Sequence, residues 1–214
     1  MANGFFVAIE GIDGSGKTTM TQYLAERFRR VYPGVGVIQT ADGVGTPTAE
    51  AIQSLISNAD IAVETKILLT SAARKENNDK VIVPALKRGD IVISDSWLLS
   101  TRATFCFDDK WLHRLVMHIN DTCAEKNPNI TLVLTCDASR AHRRRACRDN
   151  KLELLNEFPN KIDKDRDLIL RQVAREQWVD YKIINANASM KKVAERVWET
   201  ANKRYQKHLQ EHSD

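Results

Sequence analysis

Short apolar runs alternate with longer amphipathic stretches along this chain. The first run, residues 5–9, has the composition of a buried strand, and residues 20–30 have the spacing of a helix. Further short runs rich in Val, Ile and Leu stand at 35–40, 90–95, 131–136 and 182–185. Such runs are typical of parallel strands that helices cover on both faces. The alternation predicts a three-layer, doubly wound α/β domain with a parallel sheet, whose ligands bind at the carboxyl ends of the strands.

Two further helical stretches and one irregular segment complete this outline. Helices are expected at 48–58 and 62–88, and Pro84 should bend or interrupt the second because proline lacks a backbone N–H. Residues 140–166 combine many charges with weak periodicity, which favours a mobile, arginine-rich lid. No internal repeat is present, and 214 residues suit one folding unit, so residues 1–214 are expected to form a single domain.

The first predicted strand leads into a phosphate-binding motif, G-x-x-x-x-G-K-[S/T], at residues 11–19. In such a loop, backbone N–H groups wrap a phosphate while the next helix points its positive end at the anion. Lys17 would neutralise the β- and γ-phosphates, and Thr18 would bind Mg²⁺. A chance glycine-rich turn is the alternative, but the flanking strand and helix favour a nucleotide site. The loop residues expected to bind ATP are Gly11, Gly14, Ser15, Gly16, Lys17, Thr18 and Thr19.

Composition narrows the class of protein only slightly. The net charge of +4 suits a protein that handles phosphates, but it does not by itself indicate a nucleic-acid surface. The four cysteines include no C-x-x-C pair, so reduced thiols and a reducing compartment are expected. No stretch approaches membrane-spanning length, and the N-terminus has no signal-peptide pattern. These features predict a cytoplasmic protein, or one made in a host cytoplasm if its source is viral.

Several modest motifs follow one another in the order found in thymidylate kinases, and the chain resembles that family over nearly its whole length. The resemblance begins with FVAIEGIDGSGKTT at 6–19 and continues with DGVGTP at 42–47. It then includes AAR at 72–74, VIVPAL at 81–86, LST at 99–101 and INAN at 184–187. The resemblance implies a nucleotide kinase of the phosphate-loop class, which transfers the γ-phosphoryl group of ATP to a deoxynucleoside monophosphate.

The resemblance also implies roles for residues outside the phosphate loop. Asp95, at the end of a strand, would act on Mg²⁺ or its waters; a helix N-cap is the alternative. Asp13 would lie near the 3′-hydroxyl of the acceptor sugar, and Arg74 would reach the acceptor base. Asn187 would lie near the adenine of ATP. The remaining residues expected on the acceptor side are Ser100, Thr101 and Arg102.

The phosphate loop has no basic side chain at its variable positions 12–15, although some members of this family carry one there. The missing charge is therefore expected from the basic run at 142–148, where the family places its lid. Arg144 and Arg148 are four residues apart and would share one face of a helix. Either arginine could stabilise the transferring phosphoryl group as an arginine finger. A solvated basic helix face is the alternative.

Four positions depart from the family on the acceptor side. Ala41 and Ser96 stand where the family has arginines that grip the acceptor phosphate. Thr70 replaces the ring that stacks on thymine, and Phe105 replaces a glutamine near the base. Losing two charge-assisted contacts would weaken acceptor binding unless other residues replace them.

Compensation by other residues and a different acceptor both remain possible on the sequence alone. Arg102, Arg74 or Lys75 could bind the phosphate, and Trp97 or Phe105 could either stack on a base or pack in the core. The favoured function is phosphorylation of thymidine monophosphate (dTMP) or a related pyrimidine nucleotide. The alternatives are a changed acceptor, namely a modified nucleotide, a nucleoside or a base in DNA, and a non-catalytic nucleotide-binding protein. The resemblance also implies a homodimer, since members of the family often pair through helices that flank the sheet; the apolar stretch at 111–117 could form such an interface or pack in the core.

Overall fold

The computed structural model describes residues 3–58, 60–105, 110–123, 126–150 and 180–212. The part of the predicted lid at 151–166 lies outside the described residues, as do the side chains of Arg102 and Phe105. Among the described helices, none is both long and apolar enough to cross a lipid bilayer.

Five strands form one parallel sheet in the order β2-β3-β1-β4-β5. All five lie at the apolar runs of the sequence, with bounds within two residues of those expected. The strand at 90–95, for example, begins one residue later than predicted. The strands are β1 (Phe5–Gly11), β2 (Val37–Ala41), β3 (Ile91–Asp95), β4 (Ile130–Thr135) and β5 (Tyr181–Asn185).

Helices cover both faces of the sheet, which confirms the predicted three-layer architecture. In the described residues they are α1 (Lys17–Val31), α2 (Pro47–Asn58), α3 (Val63–Asn77), α4 (Val83–Arg88), α5 (Leu98–Phe105), α6 (Lys110–Cys123), α7 (Ala138–Arg148) and α8 (Met190–Glu211).

Successive side chains of β1 point into two different cores, because side chains alternate across a strand. Phe5, Val7 and Ile9 belong to the larger apolar cluster, which includes residues of α1 and α8. Phe6 joins the smaller cluster on the other face, where its ring meets Trp97 edge-on at a centroid distance of 5.3 Å. Trp97 is only 2% exposed, so core packing is the correct interpretation of this ring.

The helical stretch predicted at 62–88 is interrupted, as expected from Pro84. It divides into α3, a π-helical turn at Asn78–Ile82, and α4. Pro84 stands in the first turn of α4, where its missing N–H leaves no helical hydrogen bond unmade.

All five strands are parallel, so their carboxyl ends meet at one edge of the sheet. Ile9 of β1 lies beside Asp95 of β3, and Asp95 lies beside Ala41 of β2. On the other side, Thr135 of β4 lies beside Asn185 of β5. The loops that follow these strands are therefore neighbours, and they carry most of the residues singled out in the sequence.

Candidate active site

The phosphate loop turns sharply between β1 and α1, and two of its glycines have backbone angles that other residues rarely adopt. Gly14 and Gly16 have φ values of 85° and 102°. A Cβ atom at Gly14 would lie 2.1 Å from the carbonyl oxygen of Ala141, so α7 packs directly on the loop. The loop and the helix at the start of the predicted lid are thus in contact.

Lys17 lies across the phosphate loop with its amine over the loop backbone. Its Nζ donates to the carbonyl oxygens of Gly11 at 2.9 Å and Ile12 at 3.2 Å. The carboxylate of Asp13 is 3.4 Å from the same Nζ, and the Asp13 side chain is 64% exposed. Asp13 therefore has the cationic partner that a carboxylate needs beside bound phosphates, and it faces solvent where an acceptor can approach.

The side chains of Thr18, in the first turn of α1, and Asp95, at the end of β3, are in contact. The Thr18 hydroxyl donates to Asp95 Oδ2 at 2.5 Å. A hydroxyl and a carboxylate at the edge of a phosphate loop are the oxygen ligands that Mg²⁺ takes alongside nucleotide phosphates, so this donor set fits that ion. The bond from Thr18 favours this role over a helix N-cap, because the N–H groups at the start of α5 donate to Glu10 and not to Asp95.

Arg144 lies between the phosphate loop and the loop after β5. Its guanidinium nitrogens are 3.5 Å from the Gly14 carbonyl oxygen and 3.4 Å from that of Ser15. They are also 3.2 Å from the carbonyl oxygen of Ala186. These contacts place a positive charge directly beside the loop that binds phosphates.

Arg148 lies one helical turn further along α7, on the face that Arg144 occupies. Its Nε donates to Asp149 Oδ1 at 2.7 Å, and 63% of the Arg148 side chain is exposed. This hydrogen bond raises the pKa of Arg148, and the charge of Asp13 acts in the same direction. Both arginines lie on helix α7, as predicted from their spacing, and of the two it is Arg144 whose hydrogen bonds to the phosphate loop are seen in the described part of the chain.

A cavity of about 160 Å³ opens beside the phosphate loop. Ser15 and Thr19 near the phosphate loop, Arg144 of α7, and Ala186 and Ala188 after β5 line it. Its position beside the loop and its largely apolar walls suit the adenosine of a nucleotide.

Asn187 stands between the two alanines of this cavity but uses its side chain to fix the loop. Its Oδ1 accepts from the backbone N–H of Asp137 at 3.0 Å, and its Nδ2 donates to Asp137 Oδ1 at 3.1 Å. Arg140 donates to the carbonyl oxygen of Asn187 at 2.8 Å. These bonds join the loop after β5 to the start of α7, so Asn187 shapes the cavity wall.

The acceptor side contains a buried ion pair that joins the loop after β2 to α3. Arg74 is fully buried, and its Nε and Nη2 donate to the two carboxylate oxygens of Asp42 at 2.7 Å and 2.6 Å. Nη2 also donates to the Thr101 hydroxyl. Burial alone would lower the pKa of Arg74, but the charge and hydrogen bonds of Asp42 offset this, so the pKa lies above its ordinary value. Arg74 and Thr101, both expected to contact the acceptor, thus bind each other in the structure.

Glu10 is the buried carboxylate that sequence reasoning missed. It is fully buried in β1, immediately before the phosphate loop, and it accepts hydrogen bonds from the start of α5. Burial raises its pKa to about 7, and the nearby charge of Asp42 adds to this, whereas hydrogen bonds from Ser100 and the charge of Lys17 oppose it. The signal in the sequence was an acidic residue at the end of an apolar strand.

The turn between Asp95 and α5 has an unusual backbone. Ser96 has a φ of 71°, in the left-handed region that non-glycine residues seldom adopt. Its N–H donates to the carbonyl oxygen of Ile9 at 2.9 Å, and its carbonyl accepts from the Ser94 hydroxyl at 2.6 Å. Such backbone strain is retained where the surrounding structure enforces it, commonly at functional sites.

Comparison with known proteins points to one family. A family model described as thymidylate kinase matches residues 9–197. A thymidylate kinase of Ruegeria pomeroyi is 33% identical over 199 residues, which cover 92% of this chain and 93% of the relative. A probable thymidylate kinase of Pyrococcus abyssi is 32% identical over 203 residues, covering 90% and 93% respectively. The crystal structure of thymidylate kinase from Ehrlichia chaffeensis has the same fold, with a TM-score of 0.74 at 24% identity over 92% of this chain and 98% of that one.

Proposed function

The chain belongs to the thymidylate kinase family, and we propose that the sheet edge described above is where it transfers the γ-phosphoryl group of ATP to dTMP. It is an ATP-dependent nucleotide kinase. The observation that carries the proposal is the convergence of Lys17, the Thr18–Asp95 pair and Arg144 on one phosphate loop. These are the parts that phosphoryl transfer requires for positioning and charge neutralisation.

In the transfer, an oxygen of the dTMP phosphate bonds to the γ-phosphorus while the bond from that phosphorus to the β,γ-bridging oxygen breaks. ADP leaves with the electron pair of the broken bond. Lys17 neutralises charge on the β- and γ-phosphates from its place over the loop, and the loop N–H groups orient them. Thr18 and Asp95 would hold Mg²⁺, which when bound neutralises phosphate charge. Asp13 would orient the acceptor through its sugar 3′-hydroxyl.

Arg144 and Arg148 would supply the remaining positive charge from α7. Arg144 already lies against the loop, at 3.4 Å from the Ser15 carbonyl oxygen. Arg148 is held by an exposed pair with Asp149, which costs little to exchange for a phosphate. We propose that residues 140–166 form a lid over the nucleotide, so that these arginines act when it closes.

The positive charge that neutralises the acceptor phosphate must come from residues other than Ala41 and Ser96. Ala41 lies beside Asp95 in the sheet and offers only a methyl group there. Arg102 stands in α5, seven residues after Asp95, and is the residue we propose in place of the missing arginines. Thr70, where relatives carry a stacking ring, offers a weaker contact to the base.

The proposal is tested by measuring ATP turnover with a panel of acceptors: dTMP, other deoxynucleoside monophosphates, nucleosides and single-stranded DNA. We expect dTMP to be phosphorylated, with weaker binding than in relatives that carry both phosphate-gripping arginines and the ring. Turnover with a nucleoside or DNA and none with any monophosphate would favour the changed acceptor instead.

Two further expectations accompany this function. We propose a homodimer, because α6 exposes the large apolar side chain of Trp111, which is 53% exposed. A monomeric mass at micromolar concentration in analytical ultracentrifugation would contradict it. We also propose that the enzyme works in the cytoplasm, or in a host cytoplasm if its source is viral, where its nucleotide substrates are found.

A further inference from the structure

The start of α5 lacks a capping residue of its own. Trp97 precedes the helix, and its first turn contains no acidic side chain. The first N–H groups of a helix have no partner within the helix, and here Glu10 provides one from a distant strand. Glu10 Oε1 accepts from the backbone N–H groups of Trp97 at 2.9 Å, Leu99 at 3.0 Å and Ser100 at 3.4 Å.

The second carboxylate oxygen of Glu10 makes a further bond to the same helix. The Ser100 hydroxyl donates to Glu10 Oε2. All of these donors belong to one helix end, and all of them meet one fully buried carboxylate. A negative charge at a helix N-terminus is favoured by the helix dipole as well as by these hydrogen bonds.

Glu10 lies between the two halves of the proposed site: it is next to the phosphate loop in the chain, and it bonds to the helix on the acceptor side. Glu10 directly precedes Gly11, whose carbonyl oxygen accepts the Lys17 amine at 2.9 Å. The helix that Glu10 caps carries Ser100, Thr101 and Arg102, the residues expected to hold the acceptor. One side chain therefore links the strand behind the donor loop to the helix beside the acceptor.

We infer that Glu10 is a positioning residue that sets the place of α5, and with it the acceptor site, relative to the phosphate loop. This inference rests on the proposed function for the identity of the acceptor. The Glu10 side chain is fully buried and bonds to the start of α5, so it acts through that helix.

Replacing Glu10 with Gln tests the inference, because Gln has nearly the same shape but lacks the charge. Measured at about pH 8, where the Glu10 carboxylate is mostly ionised because burial places its pKa at about 7, we expect the KM for dTMP to rise about tenfold, since charge-assisted hydrogen bonds become neutral ones. The KM for ATP should change by less than about twofold, since the loop backbone keeps its bonds. An equal rise in both KM values, or no rise in either, would overturn the inference.

A control variant separates positioning from a general loss of stability. Asn129 lies at the other end of β1, where its Oδ1 accepts from the Phe6 N–H at 2.7 Å. Asn129→Ala should destabilise the same strand without raising the KM for dTMP. If it raises that KM as Glu10→Gln does, then loss of stability explains both variants and the inference is wrong.

Two further measurements test whether Glu10 acts through its bonds to the start of α5. Glu10→Gln and Ser100→Ala should raise the KM for dTMP less in combination than the product of their single effects, because both act on one contact. Hydrogen exchange of the backbone amides of Trp97, Leu99 and Ser100, measured without substrate, should be faster in Glu10→Gln than in Asn129→Ala. Unchanged exchange would refute the capping role even if dTMP is a substrate; faster exchange without any dTMP turnover would instead refute the proposed function alone.

Discussion

Asp42→Ala should destabilise the fold far more than removal of an exposed carboxylate does. Asp42 gives both carboxylate oxygens to Arg74, at 2.7 Å and 2.6 Å, and the Arg74 side chain is fully buried. Removing one partner of a buried ion pair leaves the other charge in a poorly solvated place, which costs about 3–5 kcal/mol. In a chain of this size that corresponds to a fall in Tm of roughly 6–20 °C.

The same helix provides a matched control. Lys75 pairs with Asp79 at 2.6 Å, but their side chains are 42% and 38% exposed. Asp79→Ala should therefore cost only about 0.3–0.5 kcal/mol, as exposed pairs four residues apart on a helix do. The free energies of unfolding are compared by urea denaturation of both variants and the wild type.

The double variant Asp42→Ala with Arg74→Met identifies the cause of the loss. Removing the charge together with its partner leaves no uncompensated ion, so the double variant should regain part of the stability that Asp42→Ala lost. If Asp42→Ala costs less than about 1 kcal/mol, comparable with Asp79→Ala, the reasoning about burial is refuted.

Three further predictions concern the site. Ala in place of Arg144 or Arg148 should lower kcat far more than it raises the ATP KM, since such contacts strengthen in the transition state. An unchanged kcat in both single variants and in the double variant would show that the two arginines only form a solvated helix face. Arg102→Ala should abolish dTMP binding in calorimetry and keep ATP binding; retained dTMP affinity would contradict this. Burial raises the pKa of Glu10 to about 7 from its ordinary 4.5, so the folded chain holds this proton more tightly. Because burial disfavours the charged form more than its hydrogen bonds favour it, the free energy of unfolding should fall by about 3 kcal/mol as the pH rises from 4.5 to 7; Glu10→Gln should lack this part of the pH dependence, and parallel curves would contradict it.

The parts of the fold that depend on local pattern could be predicted from the sequence. Five apolar runs marked the five strands, and the central strands β1 and β4 are buried along their whole length, so they need no polar alternation. Pro84 marked the break in the long helical stretch because proline is accepted in the first turn of a helix but disrupts a helix interior. The phosphate loop was equally local, because its spacing and its flanking elements lie within a few residues.

The contacts that depend on distant pairing could not be predicted in this way. Glu10 meets Ser100 across 90 positions of the chain, and Asp42 meets Arg74 across 32. The hydrophobic periodicity of a sequence predicts helices and strands, but it does not indicate which donor will bond to which buried carboxylate. Arg74 was expected at the acceptor base from family resemblance, and its bond to Asp42 emerges only once the loop after β2 is placed beside α3.

The phosphate loop is proposed to bind ATP for the transfer of its γ-phosphoryl group to dTMP. Its most direct test is chromatographic detection of thymidine diphosphate from ATP, dTMP and Mg²⁺, with the wild type and Lys17→Ala side by side. We expect thymidine diphosphate from the wild type, and a rate at least roughly a hundredfold lower from the folded variant, because charge stabilisation at the transferring group is lost. Full activity of Lys17→Ala, or no thymidine diphosphate from the wild type, would contradict it.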